Sequence, residues 1–295
     1  MRTAVPDRST IARMATRAAY QTRRSLSIPR DSPINVFDAT EAMGVEVRFI
    51  DASSVEGMFS RDPHPVIILP TSAHRPRGRI AFTCAHELGH CVLGHGDRIV
   101  DLVEAPRERG DPNEFAADIF AGTLLMPRPV VEACFSRRNI DVSTGDPVAL
   151  FGIACELGVG FHSLVTHLAV GLRLNSASWS DGLKRVTPRS IRASLVRDAT
   201  QPVTLVDGGW TAETVDLEVG DVLIAGDGAS INIDSGCGSL EVAENIAAES
   251  RDAWRATKPG VVRAKVNGRG FAVRIARSAY VGPQRHRFLH DPESS

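Results

Sequence analysis

The stretch FTCAHELGHCVLGHGD, residues 82–97, gathers three of the chain's nine histidines, His86, His90 and His95. His86 and His90 are four positions apart. On a helix they stack on one face, one turn from each other, so both imidazoles reach one ion. Zinc accepts imidazole nitrogen well, and two histidines plus one carboxylate leave a fourth position for water. Glu87 is turned by about 100° from His86. It therefore flanks the ion without ligating it, where a general base for that water must stand. In a chain of this composition the H-E-x-x-H pattern arises by chance roughly 0.01 times. A helix whose histidines are only surface polar groups is thus the poorer reading.

A third ligand must come from elsewhere. Glu114 stands on the next strongly helical segment, DPNEFAADIFAGTLLMP (111–127), with Asp118 one turn after it. Glu114 is placed to bind the metal, and Asp118 to accept a hydrogen bond from a ligand histidine's distal N–H, which would fix its tautomer. The alternative for this pair, a solvated face, fits poorly with a helix otherwise so apolar. His95 is a rival ligand. The metzincin pattern wants Gly and His three and six positions past the second histidine, but Leu93 and Gly96 occupy them. His95 therefore reads as a polar residue just past the helix end. Three ligands and one open position imply one zinc per chain.

The elements that position these residues follow from periodicity and punctuation. Residues 9–26 read as a helix capped by Ser9, with Ile11, Met14, Ala15, Ala18 and Ala19 on one face. Its arginines (Arg2, Arg8, Arg13, Arg17, Arg23 and Arg24, opposed only by Asp7) resemble a transit peptide, but a surface-exposed first helix is the preferred reading. Residues 32–44 read as a second helix ended by Gly44. Residues 45–50, 56–60 and 65–69 read as short strands. The histidine helix runs from about 78 to 93, ended by Gly94. Further helices are expected at 128–137, 147–157, 161–172 and 187–199, the last with Thr187 as cap and Pro188 at its first turn. NSASWSDG (175–182) reads as a loop or linker. From about 202 the chain becomes β-rich, with Asn267-Gly268 as a hairpin turn.

Bulk properties set limits. At 43% hydrophobic and 23% charged residues with a net charge of −1, the chain has material for a core and no global pull toward nucleic acid or an anionic membrane. No apolar run approaches a membrane span. The five cysteines, Cys84, Cys91, Cys134, Cys155 and Cys237, form an odd set without CxxC spacing. That argues against a disulfide framework and for a reducing compartment. Cys84 and Cys91 share a helix face and read as small core residues.

The segment RIAFTCAHELGHCVLGH followed by NEFAADIFAGTLLMP resembles the ImmA/IrrE family of metallo-endopeptidases, whose members carry a similar HELGH helix and then an E-x-x-A-x-x-FA-x-x-LLMP helix. Glu114, Ala117, Phe120, Ala121, Leu124, Leu125, Met126 and Pro127 fill the second pattern. SPINVFDATEAMGVEVRF, upstream, is also similar, and the resemblance spans about residues 10–172. It implies a zincin-like core, zinc held by His86, His90 and Glu114, Glu87 as catalytic base, and a helix-turn-helix repressor as substrate, cleaved to release stress or mobile-element genes. It further implies a substrate strand added to a sheet edge, for which residues 57–60 are the expected edge. Gly122-Thr123 departs from the Ala-Glu common in relatives, at a position that does not touch metal. Tyr20 and Tyr280 are among the open choices for an oxyanion stabiliser.

The expected fold is α+β: a zincin-like metallopeptidase domain at 1–128, a helical, helix-turn-helix-like segment and linker at 129–200, and a β-rich C-terminal domain at 201–295 that serves as sensor or substrate-docking module. IACELGVGFHSLVTHL (153–168) fits helix-turn-helix spacing, yet residues 156–172 contain no Arg or Lys. A recognition helix needs them, so packing against the zinc domain is expected there, not DNA binding. The expected function is a cytoplasmic zinc endopeptidase acting on a specific protein substrate. The alternative is a non-proteolytic metal-binding regulator that controls transcription by binding a repressor or DNA. Glu87 separates the two, since a binding-only site has no need of a base.

Overall fold

The computed structural model describes residues 7–95, 98–102, 110–234, 238–243, 246–248 and 251–289. Arg2, Gly96 and Cys237, named above, lie outside them. The architecture is α+β, and the chain divides into two compact units: Met1–Arg128 with Val281–Gln284, and Pro129–Tyr280 with Arg285–Ser295.

In the first unit the order is α1 (Arg8–Ser25), α2 (Val36–Ala42), β1 (Glu46–Ile50), β2 (Val55–Ser60), β3 (Val66–Pro70), α3 (Arg77–Leu93), β4 (Arg98–Leu102) and α4 (Pro112–Leu125). β1 and β3 are parallel, in register from Glu46 opposite Val66 to Ile50 opposite Pro70, and β2 runs antiparallel to β3. β4 pairs antiparallel with the far side of β2, with register shifts on either side of Gly57. β2 is therefore an interior strand, not the expected sheet edge. The sequence RIVDL, which was not read as a strand, covers it. A short strand from late in the chain, Gly282–Pro283, closes the other side on β1.

Side-chain size decides how the helices meet. Ala81, Cys84, Ala85 and Leu88 of α3 are buried, as are Ala117, Phe120, Ala121 and Leu124 of α4. At their crossing stands Gly89: a Cβ there would meet Phe120 Cδ1 at 3.0 Å and the Ala117 backbone at 3.3 Å. α1 is capped by Asp7, which accepts from the Thr10 amide, and not by Ser9. It buries Ala15 and Ala19 but leaves Met14 58% exposed. Arg23 is no surface group. It is buried and donates to the carbonyl of Leu124 at 2.9 Å and to that of Ser32, so α1 caps the C-terminal end of α4. Burial pulls its guanidinium down to about 10.

The second unit contains α5 (Arg128–Arg137), α6 (Pro147–Glu156), α7 (Phe161–Thr166) continued by a π-turn at His167–Gly171, α8 (Ala177–Lys184) and α9 (Pro188–Leu195). The strands are β5 (Val203–Val206), β6 (Thr214–Glu218), β7 (Val222–Ala225), β8 (Ile231–Ile233), β9 (Leu240–Val242), β10 (Ala253–Ala256), β11 (Gly260–Val266) and β12 (Arg269–Ala276). Gly282–Pro283 of the first unit is then β13. The strands form two four-stranded sheets, ordered β5-β7-β10-β9 and β6-β12-β11-β8. Asn267 (φ 47°) and Gly268 (φ 84°) make the tight turn between β11 and β12. Residues 177–184 are helical where a loop was expected, because the Ser176 side chain caps α8 by accepting from the Trp179 amide. Trp210, Leu217, Leu223, Trp254, Phe271 and Val273 share the core between the strands.

Residues 129–200 do not stand apart from these strands. Glu156 at the end of α6 accepts from Arg137 of α5 at 2.9 Å and from the Thr211 amide at 2.9 Å. Arg138 pairs with both Glu156 and Asp207, each at 2.7 Å. α6 also lies close on β5, with Gly152 against Leu205. Charge pairs inside the unit thus tie helices to sheet, a link that hydropathy patterns do not display.

Candidate metal centre

α3 carries three of the five residues singled out from sequence. It packs on β2 and β3 and against α4, and His86, Glu87 and His90 are all buried. Gly94 ends it in the left-handed conformation, φ 73°. α4 begins at Asp111, whose side chain accepts from the Asn113 amide, and Pro112 occupies the first helical position. This start places Glu114 in the first turn and Asp118 in the second. The close crossing at Gly89 then brings both against α3.

The donor atoms converge. His86 Nε2 and His90 Nε2 lie 3.0 Å apart, and the two Glu114 carboxylate oxygens face them, each at 3.3 Å. Zinc bonds to imidazole and carboxylate run about 2.0–2.2 Å, so two donors on one tetrahedral ion lie about 3.3–3.6 Å apart. These three spacings, with each imidazole facing its own Glu114 oxygen, match those edges within a few tenths of an ångström, and the three residues are the group able to hold an ion among the described residues. Tautomers fit as well. His86 Nδ1 meets Asp118 Oδ1 at 2.9 Å. His90 Nδ1 meets His95 Nδ1 at 3.0 Å. A proton on each ligand Nδ1 leaves both Nε2 lone pairs directed at the ion.

In the metal-free site His86 holds a proton more firmly than an ordinary imidazole. Burial depresses the His86 imidazolium, but the Asp118 hydrogen bond, then the Glu114 hydrogen bond and the Glu87 charge, outweigh it and push it up to about 9. Hydrogen bonds from His86 and His90 hold the Glu114 carboxyl well below the usual carboxylate range.

Glu87 is not part of the triangle. It is turned toward β2, where a Cβ on Gly57 would collide with Thr83 and stand 3.1 Å from Glu87 Oε1. Gly57 is thus the residue that gives the Glu87 carboxylate its room. Sequence reading passed over it, although a glycine inside a strand signals a close approach. His95 was set aside as a ligand, and its ring contacts His90 on the Nδ1 side, away from Glu114. Cys84 is buried with Thr40 Oγ1 3.6 Å away, and Cys91 is half-buried. Tyr20 stands exposed on α1, and Tyr280 belongs to the second unit.

Two helices crossing at a glycine thus bring two imidazoles and a carboxylate to one point, a group that could hold a metal ion. Residues 40–168 match the family described as Peptidase_M78, the IrrE N-terminal-like domain. A 97-residue segment is 37% identical to the radiation response metalloprotease IrrE of Deinococcus radiodurans, covering 32% of this chain and 29% of that protein. Over this part of the chain, less than half of its length, the similarity is to the IrrE-like metallopeptidases. The match spans less than a third of that relative's length.

Proposed function

We propose that this chain is a zinc-dependent endopeptidase with a zincin-like core, which cleaves a specific protein substrate in the cytoplasm. The observation that carries the reading is the triangle of His86, His90 and Glu114 donors with Glu87 alongside. When bound, zinc supplies the Lewis acidity that lowers the pKa of water toward about 7 and polarises the scissile carbonyl. His86, His90 and Glu114 hold the ion. Asp118 orients His86 through Nδ1. Glu87 accepts a proton at its carboxylate from the attacking water and returns it to the leaving amine.

The substrate we propose is a helix-turn-helix transcriptional repressor, in a stress-response or mobile-element circuit. The similarity to a radiation response metalloprotease of Deinococcus radiodurans supports the stress setting. α6 and α7 are bent by 100° about the turn at Leu157–Gly160, an angle in keeping with a helix-turn-helix shape. The lack of Arg and Lys over 156–172 nevertheless argues against DNA as the partner. The test is to incubate the full chain with the repressor encoded beside it, with and without zinc, alongside Glu87→Gln. Zinc-dependent cleavage that Glu87→Gln abolishes supports the reading. Zinc binding and repressor binding without cleavage would favour the regulator alternative.

A further inference from the structure

We propose that His95 is a positioning residue for the metal centre: its Nδ1 accepts the Nδ1 proton of His90 and so fixes which nitrogen of His90 faces the ion. The inference rests on the reading of His86, His90 and Glu114 as metal ligands.

The backbone dictates the contact. α3 ends in a Schellman turn. The Gly94 amide, at φ 73°, bonds to the Cys91 carbonyl, and the His95 amide reaches back to the His90 carbonyl at 3.1 Å. In this turn the residue after the left-handed glycine folds against the residue five before it. Those two residues here are His95 and His90. The rings meet edge-on, with centroids 5.0 Å apart at 71°, and the Nδ1 atoms are 3.0 Å apart. Only one of the two nitrogens holds the proton. If it were His95, the His90 proton would sit on Nε2, which lies 3.0 Å from His86 Nε2 and 3.3 Å from Glu114 and is the atom the ion needs. With an ion present, the proton belongs on His90 Nδ1, and His95 Nδ1 is its acceptor.

Each ligand histidine thus has a different partner at its outer nitrogen: a carboxylate for His86, and an imidazole for His90. His90 is fully buried, so water does not readily replace a lost acceptor. Loss of such a partner typically weakens metal affinity about 10- to 100-fold.

The test is zinc competition against a chromophoric chelator, with the full chain carrying His95→Phe, His95→Gln or His95→Ala. Phenylalanine keeps an edge-on ring against His90 and removes the acceptor. Glutamine offers a carbonyl oxygen instead. The proposal expects about 10- to 100-fold weaker zinc binding in His95→Phe and His95→Ala, with affinity largely restored in His95→Gln. Cobalt(II) absorption should keep one coordination pattern throughout. Wild-type affinity in His95→Phe, or equal loss in His95→Gln and His95→Phe, overturns it. A cobalt spectrum that changes coordination in His95→Phe would make His95 a ligand and also overturn it. If the wild-type chain binds no zinc, the metal centre itself fails, an outcome distinct from these.

Discussion

Both units bury a glutamate, and they neutralise it differently. In the first, Glu114 faces two imidazoles at 3.3 Å. In the second, Glu156 faces the guanidiniums of Arg137 and Arg138 at 2.9 and 2.7 Å, with Thr211 filling in. A guanidinium does not give up its proton at any ordinary pH. The Glu156 cluster is charge-paired without any added ion, and its work is to hold α5 and α6 to the 207–211 turn. An imidazole, unlike a guanidinium, can give up its proton within an accessible pH range. The Glu114 cluster can therefore exchange protons for a cation with hardly any rearrangement. Permanent partners around a buried carboxylate make structure, and titratable ones make a site.

The sharpest way to break that contrast is to truncate each glutamate. Glu156→Ala removes the buried carboxylate that Arg137 and Arg138 share, leaving Arg138 only Asp207, and should cost about 3–5 kcal/mol of stability, read by denaturant unfolding, with zinc content unchanged. Glu114→Ala should lose zinc in elemental analysis and cost the metal-free protein less than Glu156→Ala does, because the imidazoles left behind can shed their protons. Matched stability losses in the two variants would sink the comparison.

Next in size is the base. Glu87→Gln should retain zinc and lower cleavage by at least about 10²-fold. Gly57→Ala, which crowds the same carboxylate, should reduce cleavage more than zinc affinity. Asp118→Ala acts on orientation and should weaken zinc by about 10-fold, since this carboxylate lies partly in solvent.

The smallest effect is one of pH. With His86 raised to about 9 in the metal-free chain, the site is protonated at neutrality, and zinc must expel that proton. Apparent zinc affinity should therefore climb as pH rises from 6 toward about 9 and flatten above. Calorimetry in buffers of different ionisation enthalpy should show proton release at pH 7, and a flat affinity across that range would contradict the assignment. By linkage, the stability that the His86 contacts give the metal-free protein is complete below its ordinary value of 6.5 and fades as pH rises through about 9.

What could be read from the sequence was local. The spacing of His86 and His90, the stop at Gly94 and the starts at Pro112 and Pro188 are each set within one or two turns of chain, and the periodicity carries them. Glu114 could be proposed from sequence, but its approach to α3 depends on the absent side chain of Gly89 meeting Phe120, a tertiary event. His95 was legible in principle, because a left-handed glycine followed by histidine encodes the Schellman contact. Its displacement from the metzincin register drew attention away from that. α8 was missed since its Ser, Asn and Asp residues serve equally in turns, and only the capping geometry of Ser176 decides between them. β2 was taken for an edge because nothing in RIVDL alone announces that it will pair across Gly57.

β13 is two residues long, yet it changes how the molecule can come into being. Phe49 and Arg48 of β1 pair with Gly282 and Pro283, and Gln284 reaches Asp38 at 3.5 Å. On the ribosome, the first 128 residues emerge with this flank of their sheet bare, and it stays bare until more than 150 further residues have been made. β1 therefore depends for this flank on residues more than 230 positions later in the chain. A chain cut short anywhere before 282 leaves an open strand beside a formed helix pair, which is a sticky edge. Synthesis of residues 282 and 283 is itself the step that seals it.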